Sequence, residues 1–182
     1  VLVMSYLIGS IPTALVVSRI VSGVDIREIG DGNMGARNVT HTLGWGPGIV
    51  VAVFDFSKGS LAVLMARQLG CPLNWQLASG VSAVLGHDFP IYVRFRGGQG
   101  MASTLGTLIV FMPYQTSLGL IMFAAAYYLW RNFDLSAAAS LRFLDSALQA
   151  QFQEYLGALH AARSREKRSV YIDSTGAQGR EV

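Results

Sequence analysis

Cysteine, charge and a basic leader are all scarce in this chain. The single cysteine, Cys71, has no partner for an internal disulfide and fits no Cys metal-site spacing, so it reads as a small packing residue. Charged residues are 14% of the 182 and hydrophobic ones 52%, whereas a soluble domain carries about a quarter charged. No Lys or Arg precedes the first apolar run and no clear small-x-small cleavage site follows it. Residues 1–21 therefore read as a retained span, not a signal peptide. No Ser or Cys is placed to need His87 as a catalytic base, which argues against a nucleophile–base pair. Nothing in the composition points to a nucleic-acid partner, a cofactor or a metal.

What is present is apolar sequence in long runs. A bilayer core of about 30 Å takes about 20 helical residues. Five stretches qualify or nearly do: 1–21, 44–66, 72–85, 101–112 and 114–130. The expected fold is all-α, a multi-span membrane protein of about five membrane helices. The third and fourth runs are short, as in helices that are tilted or broken around a site. Half of the fourteen Lys and Arg lie in 131–182, which divides a membrane portion, 1–130, from a polar tail. The basic residues near the span ends cluster on one side: Arg19, Arg27, Arg37, Arg94, Arg96 and Arg131 against Arg67 alone. The positive-inside rule then puts the N-terminus outside and both Gly-rich loops and the tail in the cytoplasm.

The stretch most suggestive of chemistry runs from Gly86 to Thr104. A Pro-containing loop narrows to Gly97-Gly98-Gln99-Gly100 and opens into a helix, so that unpaired N–H groups converge and attract an anion. Arg94 and Arg96 lie just upstream. The plainer reading is a tight turn before a helix. The earlier loop, 25–41, is rich in Gly and Asn and long for a simple connection, which favours a functional loop. In the second run, Asp55 and Lys58 are spaced i,i+3 and share a helical face. Each costs about 2.5–3.5 kcal/mol at a membrane centre, so neither should face lipid. A structural ion pair and a lysine that reaches a substrate anion are both open. For His87, orienting the Gly-rich loop by a backbone hydrogen bond is preferred to base catalysis.

After Trp130 the pattern becomes amphipathic. Asp134 or Ser136 is a candidate cap for a helix whose stripe is Leu141, Leu144, Leu148, Phe152, Tyr155, Leu159 and Ala162. The basic cluster at 163–168 suits anionic lipid headgroups or a protein partner, while a solvated helix with a frayed end fits equally well.

Four motifs occur together and in order: Tyr6-Leu7-Ile8-Gly9-Ser10-Ile11-Pro12; Gly32-Asn33-x-Gly35-Ala36-x-Asn38; Asp55-x-x-Lys58-Gly59; and Gly86-His87-x-Phe89-Pro90 running to Gly97-Gly98-x-Gly100. Together they resemble the bacterial acyl-phosphate:glycerol-3-phosphate acyltransferases, the PlsY family. The resemblance covers about residues 5–112. It implies a helical membrane fold, usually of seven spans, whose cytoplasmic loops bind glycerol 3-phosphate and a fatty acyl phosphate. It also implies acyl transfer to the glycerol C1 hydroxyl for phospholipid synthesis, with no metal or cofactor. The positions it points to as substrate-binding are Asn33, Gly35, Arg37, Asn38, Lys58, His87, Arg96, Gly97, Gly98 and Gly100, with no covalent nucleophile.

Several positions depart from the family pattern. Asp31 stands where Ser is usual, Arg37 where Thr is, His41 where Arg is, and Gln99 where Lys is. A carboxylate about 4 Å from a phosphate is repelled by about 4 kcal/mol per unit charge at an effective dielectric of 20, and Arg37 is the natural compensator. The family's later His- and Asn-bearing motif and last two spans have no counterpart after Trp130. Acyl transfer, a non-catalytic membrane relative that senses a phosphate ester, and a membrane anchor for the C-terminal helix are the three functions these departures leave open.

Overall fold

The computed structural model describes residues 1–146 together with 149, 150, 153, 154 and 157. Among the described residues there is no strand. The helices in chain order are α1 (Leu2–Gly9), α2 (Thr13–Ser22), α3 (Ala36–Leu43), α4 (Trp45–Gln68), α5 (Leu73–Asp88), α6 (Met101–Phe111), α7 (Pro113–Trp130) and α8 (133–146). They fall into two compact units, Val1–Thr116 and a second beginning at Ser117. The all-α membrane architecture expected from the apolar runs is the one observed.

Among the described residues two runs pass the length and hydropathy of a membrane crossing, Leu2–Ser22 and Trp45–Gln68. The first is two helices, interrupted at Ser10-Ile11-Pro12. Pro12 has no N–H to donate, so the ladder stops after Ser10 and restarts at Val16, whose N–H donates to the Pro12 carbonyl at 3.0 Å. Within the break the Ile11 carbonyl accepts from the Thr13 N–H at 2.9 Å. The fourth run is short: α6 has 11 residues, and at 1.5 Å per residue it reaches about 16 Å. Pro113, in the first turn of α7, ends it there.

In the first unit α4 is the central helix, packed against α3, α5 and α6, and α1 packs along α5. Small residues allow the close approach. A Cβ on Gly9 would strike the Ala83 backbone, and one on Gly86 would strike the Tyr6 carbonyl. One on Gly59 would meet the Ser103 carbonyl, and one on Gly106 the Phe56 carbonyl. Between membrane helices, where burial of apolar area gives little advantage over lipid, such backbone-to-backbone packing is what holds them together.

Residues 36–43, which read as part of a long loop, form a helix instead. The signal was weak because only three apolar residues mark it, Ala36, Val39 and Leu43, of which Val39 is fully buried. In the second unit Asn132, not Asp134 or Ser136, caps α8: its Oδ1 accepts from the Leu135 N–H at 3.1 Å. Leu144 is buried and Leu141 exposed. Leu148, Phe152, Tyr155, Leu159, Ala162 and the 163–168 basic cluster lie outside the described residues.

Candidate phosphate site

The first loop is built from its start by Asp25. Its Oδ1 accepts from the Arg27 N–H at 3.0 Å and from Arg27 Nε at 2.9 Å, and its Oδ2 from Arg27 Nη2 at 2.6 Å. Arg27 holds the Asp25 carboxyl well below the usual carboxylate range, chiefly through these side-chain hydrogen bonds. The result is a single 3-10 turn, Ile26–Glu28, that buries Ile26 completely.

Asn38 is the hub of the loop. It is 2% exposed, its Oδ1 accepts from the Asp31 N–H at 3.2 Å, and its Nδ2 donates to the carbonyls of Ile26, Ile29 and Asn33, each at 3.1 Å. Gly30 has φ +63°, and a Cβ there would strike Asn38 Oδ1. The polar capacity of Asn38 is thus spent on the loop itself. Asp31 is exposed and its Oδ1 accepts from the Asn33 N–H at 3.0 Å, a local Asx turn that uses the carboxylate to order the backbone. Gly35 precedes α3, Arg37 is half-buried in its first turn, and His41 is exposed in its last.

The second element follows α5. Pro90 is buried and accepts through its carbonyl from the Val93 and Phe95 N–H groups at 3.2 and 3.0 Å, while Tyr6 Oη donates to the Phe89 carbonyl at 2.6 Å. This tight turn forces Arg94 and Phe95 into left-handed backbone, φ 58° and 60°, at a cost of about 1–2 kcal/mol each. The chain then folds back over the end of α5. The Gly98 N–H donates to the His87 carbonyl at 3.1 Å. A Cβ on Gly97 would strike that same carbonyl, and one on Gly98 would strike His87 Nε2. Gly100 takes φ +63° directly before α6, whose first turn has no side-chain cap. The first N–H groups of a helix have no intrahelical partner and carry the positive end of its dipole, and in α6 they follow directly on the Gly-rich turn. Arg96 and Gln99 are exposed beside it. Asp88 lies under Gly100 with its Oδ1 buried and without a hydrogen-bond partner.

Beneath this turn is a buried cluster of charge. Asp55, Lys58 and His87 are 1%, 5% and 7% exposed. Lys58 Nζ donates to Asp55 Oδ1 at 2.6 Å and to the Ile11 carbonyl at 2.5 Å. His87 Nδ1 lies 3.6 Å from the same Asp55 oxygen, within ion-pair reach though longer than a hydrogen bond. Ser103 Oγ donates to the Asp55 carbonyl at 3.0 Å, tying α6 to α4 at the same level. Among the described residues no group of His, Cys, Asp or Glu is arranged to hold a metal ion.

Of the positions expected at a site, Lys58, His87, Gly97, Gly98 and Gly100 come together around the Gly-rich turn. Asp31, Asn33, Gly35, Arg37 and Asn38 gather in the first loop. The two sets share a support: Ile26, Met34 and Val39 belong to the same buried apolar cluster as Val93, with Ala14, Leu15 and Val51 completing it. Sequence reasoning did not find the link from Asp55 to His87, nor the acceptor role of Ile11. The i,i+3 spacing exposes the Asp55–Lys58 pair, but only the fold brings residues 11 and 87 to it.

The sequence model of the glycerol-3-phosphate acyltransferase family matches residues 1–161. Glycerol-3-phosphate acyltransferase of Thermus thermophilus is 50% identical over 113 residues, 62% of this chain and 56% of its own length. Glycerol-3-phosphate acyltransferase 1 of Deinococcus radiodurans is 49% identical over 125 residues, 69% of this chain and 61% of its own length. The match to the Geotalea daltonii protein of the same name is 42% identical over 148 residues, 80% of this chain and 76% of that one. The chain thus spans somewhat more than half the length of the first two of these relatives. Among solved structures, PlsY (YgiH), an integral membrane glycerol 3-phosphate acyltransferase in its glycerol 3-phosphate form, superposes with a TM-score of 0.74 at 29% identity, over 96% of this chain and 90% of that one. With a family match over most of its residues and this likeness of fold, the chain belongs to the glycerol-3-phosphate acyltransferase family.

Proposed function

We propose that this chain transfers an acyl group from acyl phosphate to the C1 hydroxyl of glycerol 3-phosphate, giving 1-acylglycerol 3-phosphate and phosphate in phospholipid synthesis. The observation that carries the reading is the shared apolar cluster: Met34 and Val39 from the first loop and its helix, and Val93 from the second, are buried together. Two anion-binding loops so joined suit a reaction between two phosphate-bearing substrates. The relatives' names point to glycerol 3-phosphate as acceptor. A PlsY structure in a lysophosphatidic acid form supports the product class.

The chemistry asks little of the side chains. An acyl phosphate is a mixed anhydride already activated for attack, so no protein nucleophile is required. The C1 oxygen adds to the acyl carbon, the bond from that carbon to the phosphate oxygen breaks, and the departing phosphate accepts the hydroxyl proton. Orientation and charge neutralisation lower the barrier. The 97–100 turn, its Gly98 amide already given to the His87 carbonyl, and the N-terminal end of α6 take one phosphate. Asn33 and Arg37 define the second site, Asn38 holds the first loop in shape, and Arg96 offsets the missing cation at Gln99. In this reading the protein crosses the cell membrane several times, with its N-terminus outside and both loops and the tail cytoplasmic. The 163–168 cluster then meets anionic lipid or a protein.

The test incubates membranes containing the chain with acyl phosphate and labelled glycerol 3-phosphate, beside Asn38→Ala and Gly98→Leu. The expected result is labelled lysophosphatidate from the wild type and much less from both variants. Ordinary glycerol 3-phosphate binding without product would replace the transferase with a sensor. The uncommon Asp31, Arg37, His41 and Gln99 keep that second reading in view.

A further inference from the structure

We propose that Asp55 is a positioning residue for phosphate binding, acting through His87 on the main chain at 97–98. The inference rests on the acyltransferase reading and adds a residue to its site. Three groups converge at the middle of the first unit, and each has a different share of the work. Lys58 is engaged on two sides: its ammonium bridges Asp55 Oδ1 and the Ile11 carbonyl, so two of its three N–H groups are already spent. It fixes the Asp55 carboxylate in place and balances its charge. Asp55 in turn presents the same oxygen to His87 Nδ1 at 3.6 Å.

His87 is the member of the cluster that reaches the Gly-rich turn, and it does so twice. Its carbonyl accepts the Gly98 N–H, and its ring places Nε2 where a Gly98 Cβ would stand. Which ring nitrogen carries a proton is set by what the other one faces. A carboxylate at Nδ1 holds the ring in one orientation and keeps Nε2 directed at the turn. A buried carboxylate on one ring nitrogen is a common way to orient a histidine whose other nitrogen faces a site. Without Asp55 the ring is free to turn, and the peptide at Gly98 loses its backing.

The experiment uses the full chain in lipid nanodiscs and compares wild type, Asp55→Asn, Lys58→Met and the double variant. Glycerol 3-phosphate binding is measured by calorimetry, and KM and kcat by acyl transfer. Lys58→Met alone strands a buried carboxylate and lowers the thermal midpoint; the double variant removes both charges and recovers it. If Asp55 positions His87, the double variant still binds glycerol 3-phosphate about tenfold more weakly, the scale of one charge-assisted hydrogen bond, with KM raised in parallel and kcat within about twofold. Recovery of affinity together with the midpoint would overturn the proposal, reducing Asp55 to a counter-ion for Lys58. So would a wild type that binds no glycerol 3-phosphate. A wild type that binds it but forms no lysophosphatidate would refute acyl transfer alone, and the binding comparison would still decide the role of Asp55.

Discussion

The amide nitrogen of Asn38 lies 3.1 Å from the carbonyl of Ile26, twelve residues earlier, and this bond closes the first loop on itself. With the bonds to Ile29 and Asn33 it makes one buried side chain the frame of the segment. Asn38→Ala removes the frame and leaves these carbonyls to find water. Asn38→Asp keeps the acceptor for Asp31 N–H but turns a carboxylate toward three carbonyl oxygens. Both variants are expected to lose about 2–3 kcal/mol of loop stability, the cost of a few unmet polar groups partly recovered by hydration. Turnover should fall at least about tenfold, and trypsin should cut faster at Arg27 and Arg37. A direct ligand-binding role would look different: tryptic protection unchanged, with only KM raised.

Glycines in this chain serve two purposes, and substitution separates them. Gly59 and Gly106 sit where α4 and α6 touch, and an added Cβ meets backbone carbonyls that cannot move aside. Gly59→Ala or Gly106→Ala should cost about 1–3 kcal/mol of overpacking and lower the thermal midpoint by about 5 °C, with KM for glycerol 3-phosphate unchanged. At Gly98 the added Cβ meets the far end of a side chain, His87 Nε2, and no backbone atom. Gly98→Ala should therefore keep the midpoint and raise KM several-fold. Thermal scans in detergent beside steady-state kinetics check both, and a raised KM in Gly106→Ala would contradict the division.

Much of this was readable before any coordinates, and the reason is periodicity. Apolar runs of membrane length announce helices, and Gly97-Gly98-x-Gly100 before Met101 announces a helix N-terminus whatever its surroundings. The i,i+3 spacing of Asp55 and Lys58 made their pairing legible. What escaped was long-range or slight. A proline at 12 is plain in the sequence, but nothing local shows that the Ile11 carbonyl beside it meets a lysine forty-seven residues away. The eight residues of α3 carry too few apolar positions to stand out from a Gly- and Asn-rich loop. Asn38 looked like a ligand-facing amide because motif position does not reveal burial. Its four loop partners are visible only once residues 26–33 have turned back upon it.

Acid should loosen the first loop through Asp25. Its carboxyl is held below the ordinary value of 3.8 by Arg27, so the folded state binds that proton less readily than the unfolded one. A depressed carboxylate gives stabilisation that is complete above the unfolded value and is lost as pH falls toward the folded one. The effect is thus full at neutral pH and begins to fade below about 4. Arg27→Gln removes the partner and with it most of this dependence. The wild type should exceed the variant in thermal midpoint at pH 7, and the gap should narrow steadily between pH 4 and 2. Because Ile26 is seated by the same turn and its carbonyl receives Asn38, trypsin cleavage at Arg37 should rise in the variant at neutral pH. A gap that stays constant to pH 2 would show that Arg27 stabilises the loop by packing its aliphatic stem, not by its charge.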